Sequence, residues 1–111
     1  APLNSSVANP KNNFPIMKLL TKELRAKLPP LYSTEKDKDP TAVVKFFTPD
    51  SSWTWFATEF DGEDRFFGLV DGFDKELGYF SLSELASARG PLGLPIERDR
   101  WFSPKPLSEC R

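Results

Sequence analysis

The sequence predicts an α+β domain: a small antiparallel sheet of three to four strands, flanked by two short helices, with a proline-rich C-terminal tail. Three observations predict it. Runs rich in aromatic and β-branched residues at 41–47, 53–60, 65–70 and 77–80 are joined by short Asp- and Gly-bearing turns, which favours hairpins and antiparallel pairing. Two segments, opening at Thr21 and Ser81, carry a helix cap before an apolar stripe and stop signals after it. Beyond Gly90, the spacing of Pro91, Pro95, Pro104 and Pro106 leaves no period for a long element.

The elements follow in order. Residues 1–16 are Asn-, Pro- and Ser-rich without periodicity and read as a flexible extension, native or artificial, with the single domain over 17–111. The first helix runs from Lys22 to about Leu28. The Thr21 hydroxyl can accept from the free N–H groups of its first turn. Leu20, Leu24 and Leu28 form an apolar stripe, and Pro29-Pro30 end the helix. Leu31 and Tyr32 are expected to fold back on the core. After a polar loop, strands are predicted over Thr41–Phe47, Trp53–Phe60, Arg65–Val70 and Leu77–Phe80. Gly62 supplies the positive φ for the middle hairpin. Ser81-Leu82-Ser83-Glu84 matches the capping box that opens the second helix. Gly90 is placed as its left-handed C-cap. Leu94, Ile96, Trp101 and Phe102 are expected to pin the tail, and a short strand near Ile96 is allowed.

The chain of 111 residues has the length of one domain. Ten Phe, three Trp and two Tyr give it a large apolar area for its size. That area matters because a domain this small buries only about 65% of its unfolded surface. One cysteine, Cys110, cannot form an intramolecular disulfide, so the chain reads as cytoplasmic. No apolar run approaches the roughly 18 residues of a membrane span. Histidine is absent, which removes Ser-His-Asp and Cys-His catalysis and the usual zinc ligand sets.

The net charge of −1 hides an asymmetry: residues 46–84 hold nine acidic groups and two basic ones, between mildly basic flanks. Such a segment reads either as solvated turns or as an acidic face for a basic partner. Asp61-Gly62-Glu63-Asp64 and Asp71-Gly72-Phe73-Asp74 resemble fragments of metal loops but lack the later bidentate glutamate, so no metal or other cofactor is expected. Glu59, Glu63 and Glu76 are the candidates for a carboxylate pair, with no spacing that requires one.

Strict alternation puts Trp53, Trp55 and Ala57 on one face of the sheet. It puts Thr54, Phe56, Thr58 and Phe60 on the other. Both faces are then partly apolar. Either the tail covers the second face or an aromatic patch around Trp53 and Trp55 is left to bind something. The candidate contact residues are Trp53, Trp55, Tyr79, Arg98 and Trp101, chosen as exposed aromatic and Arg anchors. Arg89, Arg98, Arg100 and Lys105 with Trp101 also interleave cations with an aromatic, as single-stranded nucleic acid binding requires. A sequence pI of about 5.5 argues against that reading.

Several strings in order carry a resemblance: M-K-L-L-T-K-E-L (17–24), L-P-P-L-Y (28–32), V-K-F-F-T-P (44–49), W-T-W-F (53–56), F-F-G-L-V (66–70), E-L-G-Y-F-S-L-S-E-L (76–85) and G-L-P-I-E-R-D (93–99). Together they resemble an uncharacterised single-domain bacterial family, a domain of unknown function. That family is carried on conjugative plasmids and other mobile elements, often near anti-restriction genes. The resemblance implies a role in element establishment or in countering host defence, and no catalytic residues. The resulting expectation is a non-enzymatic module that binds another protein, a host defence or DNA-processing factor. A nucleic-acid-associated accessory domain is the alternative, and a carboxylate-based enzyme the weaker third option.

Overall fold

The computed structural model describes residues 19–110. The extension expected at 1–16, the first two residues of the domain expected over 17–111, and Arg111 lie outside them. In chain order the elements are α1 (Lys22–Lys27), β1 (Thr41–Ala42), β2 (Val44–Phe47), β3 (Thr54–Phe60), β4 (Arg65–Asp71), β5 (Lys75–Ser81), α2 (Leu82–Ser87), β6 (Glu97–Arg98), β7 (Lys105–Pro106) and a 3₁₀ turn at Leu107–Glu109. The main sheet has five antiparallel strands in the order β5-β4-β3-β2-β6, and β1 pairs with β7 in a second, two-stranded sheet.

The architecture is therefore mostly sheet, which corrects the expected three to four strands. The predicted 41–47 strand divides at Val43, whose N–H donates to Ala57 O at 2.8 Å. Its first part leaves to pair with the tail, Thr41 opposite Pro106 and Ala42 opposite Lys105. Its second part pairs with β3 on one side and with tail strand β6 on the other. Two-residue strands have no periodicity to read, and contacts made far along the chain fix their pairing.

Both helices are capped where the sequence places the caps. Thr21 Oγ1 accepts from Leu24 N, and Ser81 Oγ accepts from Glu84 N while donating to Glu84 Oε1. Each ends at a residue in extended conformation, Leu28 and Ala88. Gly90 thus lies beyond the helix and is not in the left-handed region, which Gly62 and Gly93 occupy. Gly90 answers a different need: a Cβ there would stand 1.6 Å from Asp50 Oδ1.

The two sheet faces bury separate clusters. On the helix side, Leu19, Leu20, Leu28, Phe46, Phe60, Phe66, Phe80, Leu85 and Ile96 pack together. Phe66 is the hub, with ring centroids 4.6 Å from Phe60, 5.2 Å from Phe80 and 5.5 Å from Phe46. On the opposite side, Ala42, Phe56, Leu69 and Leu107 are buried with Phe102 and Cys110 against them, so the tail covers part of that face.

The strict alternation read along 53–60 fails at a β-bulge. The β3–β4 register shifts between Ala57 and Glu59, leaving Thr58 as the extra residue, wholly buried, with Oγ1 donating to Phe67 O at 3.1 Å. Beyond the bulge the phase reverses. Phe60 joins the helix-side core instead of the face of Phe56, and Glu59 turns to the tail side opposite Phe67.

A candidate binding groove on the open face of the sheet

The tail covers only part of its face. Beside it lies an open groove of about 720 Å³. Its floor is Glu59 on β3, Phe67 on β4, and Leu77 and Tyr79 on β5. One wall is the 32–40 loop, and Leu107 and Ser108 close one end.

Glu59 explains why the wall stands. It is 3% exposed, and a buried carboxylate must be hydrogen-bonded. Oε1 accepts from Tyr32 N at 2.7 Å. Oε2 accepts from Thr34 N at 2.8 Å and from the Thr34 hydroxyl. These bonds hold the loop after Pro29-Pro30 across the sheet, with Tyr32 at φ 70°. Tyr32 accordingly lines the groove and is exposed, correcting the expectation that it folds onto the core. At the other end of the wall, Asp39 accepts from Ser108 N at 2.9 Å and Ser108 Oγ at 2.6 Å, tying loop to tail.

The floor is apolar and half open: Leu77 is 52% and Tyr79 49% exposed. Phe67 meets Tyr79 edge-on at 5.1 Å, and the Arg65 guanidinium sits 5.7 Å from the Tyr79 centroid. The Tyr79 phenol is pushed above its usual pKa, first by its side-chain hydrogen bond to Tyr32, then by desolvation and the negative charge nearby at Glu59.

The residues singled out from sequence do not converge. Trp53 and Trp55 stack at 6.0 Å on the helix side, half buried, with Phe73 edge-on to Trp53 at 5.3 Å. Tyr79 belongs to the groove on the opposite face. Arg98 lies on the far edge strand opposite Phe46, and Trp101, 92% exposed, shares with it a shallower depression lined also by Lys45, Phe47, Glu97, Asp99 and Arg100. Asp99 there pairs with Lys45 at 3.7 Å. Sequence reading missed Tyr32, Thr34, Phe67 and Leu77 as neighbours of Tyr79. One signal was available: Glu59 is the single charge inside an otherwise uncharged seven-residue strand.

The carboxylates do not assemble for acid–base work. Both Glu59 oxygens are taken, Glu63 sits in the turn, and Glu76 is exposed on β5. Among the described residues, no group of three or more His, Cys, Asp or Glu is placed to hold a metal. No described helix is long and apolar enough to cross a membrane. The Cys110 thiol is pushed above its usual value, mainly by burial, and faces Pro106 O at 3.5 Å.

A family model described as "Protein of unknown function (DUF2958)" matches residues 19–110. Neither the comparison with curated proteins nor that with solved structures finds a match.

Proposed function

We propose, for a chain that belongs to this family of unknown function, a non-enzymatic role as a module that binds another protein through the open groove and the adjoining strand β5. The observation that carries this reading is the exposed apolar pair Leu77 and Tyr79, on a seven-residue strand that, among the described residues, pairs on one side only. Contiguous apolar surface of this kind on a folded domain is where partners dock. An unpaired strand edge supplies backbone donors and acceptors to the same partner. The mobile-element setting that the sequence resemblance implies belongs to this proposal, with a host defence or DNA-processing factor as the partner.

The test is capture from bacterial lysate by the tagged full chain, with nuclease present, comparing wild type with Leu77→Lys, Tyr79→Ser, Phe73→Ser and Trp101→Ser. A protein retained by wild type and by the Phe73 and Trp101 variants, and lost by the two groove variants, supports the reading. Capture indifferent to Leu77 and Tyr79 contradicts it.

One observation favours nucleic acid instead: Trp101 stands in solvent beside Arg100 in the depression that also holds Lys45 and Arg98. Stacking on Trp101 with phosphate contacts from these cations would be the mechanism. Glu97 and Asp99 in the same depression dilute its positive charge, which leaves the protein reading ahead. Binding of a labelled single-stranded oligonucleotide that falls steeply with salt and with Trp101→Ser would reverse that order.

A further inference from the structure

We infer that the groove takes an extended, lysine- or arginine-bearing segment of the partner, added along β5 as a sixth strand of the main sheet. This rests on the protein-binding reading above and specifies the chemistry of what binds. The first support is the strand edge. β5 hydrogen-bonds to β4 from Lys75–Asp71 to Ser81–Arg65 and to no other strand among the described residues. At the opposite edge, β6 is only two residues long and follows Pro95. Exposed edges are normally blunted by proline, by a bulge, by shortness or by charged side chains, and β5 carries charge only at its first two residues, Lys75 and Glu76. β5 has no proline and no register break, and it extends roughly 23 Å at the usual strand rise.

The second support is charge. Among the described residues, the groove lining holds Glu35, Asp37, Asp39 and Glu59 together with Lys38, and Arg65 adds a second cation beside the floor. In an added strand, alternate side chains would stand on the groove's side of the sheet next to Leu77 and Tyr79, from where a long basic side chain can reach over the Tyr79 ring toward this acidic wall. An acidic segment would be repelled there, whereas a basic one is attracted by both the carboxylates and the aromatic face. Arg65 over Tyr79 shows that a cation already rests on that ring. Backbone bonds to β5 would supply affinity, and the groove would select the side chains, as in other strand-addition complexes.

The experiment is fluorescence anisotropy of the full chain with four labelled peptides of β5's length: alternating valine and lysine, alternating valine and glutamate, and the valine–lysine peptide N-methylated either at its valines or at its lysines. The valine–lysine peptide should bind, the glutamate peptide should not, and at least one of the N-methylated peptides should lose binding, because only alternate N–H groups face the edge. Glu35→Gln and Asp37→Asn, both on the exposed loop, should each weaken valine–lysine binding by about fivefold at low salt. Raising salt should erase most of that difference. Equal binding of the glutamate peptide overturns the charge assignment, and undiminished binding of both N-methylated peptides overturns strand addition. No valine–lysine binding, while lysate capture still depends on Leu77, overturns this inference and leaves the protein-binding role standing. Loss of Leu77-dependent capture removes the role itself.

Discussion

Several acidic residues of this chain accept hydrogen bonds from its own backbone. Asp61 Oδ1 accepts from the N–H groups of Glu63, Asp64 and Arg65 at 2.8, 2.8 and 3.0 Å. Asp64 accepts from Ser83 N and Oγ at the start of α2. Asp50 Oδ2 accepts from Leu92 and Leu94, holding the loop after α2. Four of the nine acidic groups in 46–84, Asp50, Glu59, Asp61 and Asp64, are thus turn and loop anchors. These bonds hold the Asp61 carboxyl below its ordinary value. Because the folded value is depressed, its contribution to stability is present above the unfolded pKa near 3.9 and is lost as pH falls through the folded value. Asp61→Asn should therefore flatten the loss of stability below about pH 4 in urea titrations at stepped pH. A second pair of substitutions tests the close approach at Gly90. Gly90→Ala should cost about 1–3 kcal/mol, because the new methyl meets Asp50. Gly78→Ala, with nothing within 4 Å of its Cβ, should change stability by no more than about 0.5 kcal/mol. Equal effects in urea denaturation would show that Asp50 does not hold the 90–94 loop.

At the scale of elements, the bulge at Thr58 decides what the groove is made of. Without it Glu59 would face the helix-side core and Phe60 the solvent-side groove. Deleting Thr58 removes the extra residue and leaves Ala57, Glu59 and Phe60 on the faces they now occupy, so the variant should still fold with an unbroken β3–β4 ladder, read as retained amide dispersion in NMR. Thr58→Val keeps the register and removes only the bond to Phe67 O, for an expected cost of about 1 kcal/mol. Glu59→Gln should cost about 1–3 kcal/mol, since an amide cannot accept at both ends and its NH₂ faces the Thr34 N–H. It should also speed hydrogen exchange at Tyr32 and Thr34 selectively. These elements differ in how legible they were from sequence. The helix caps at Thr21 and Ser81 and the Gly62 turn were readable because their chemistry is local. The bulge, β1, β6 and β7 were not, because each depends on a partner strand distant in sequence. Glu59 was visible as a charge out of place, but its partners at Tyr32 and Thr34 lie more than twenty positions away.

For the molecule as a whole, the sheet separates two kinds of surface. The helix side is a closed aromatic core around Phe66, and Phe66→Ala should cost about 3–5 kcal/mol by thermal or urea unfolding. The other side is closed by the tail at Phe56 and Leu69 and left open at Phe67, Leu77 and Tyr79. Sequence alternation showed that both faces are partly apolar. It placed the exposed patch at Trp53 and Trp55, because which face the tail crosses, and how far, is a tertiary outcome. Tyr79 is the one predicted contact residue that the groove includes.

The most direct test of the central claim is site-specific photo-crosslinking in living bacterial cells. A benzophenone amino acid would be placed in turn at Leu77, Tyr79, Phe73 and Trp101, all exposed side chains. Specific adducts at 77 and 79 that are absent at 73 and 101 are the predicted result. Adducts confined to 73 or 101, with none in the groove, would contradict the assignment of this face as the contact surface.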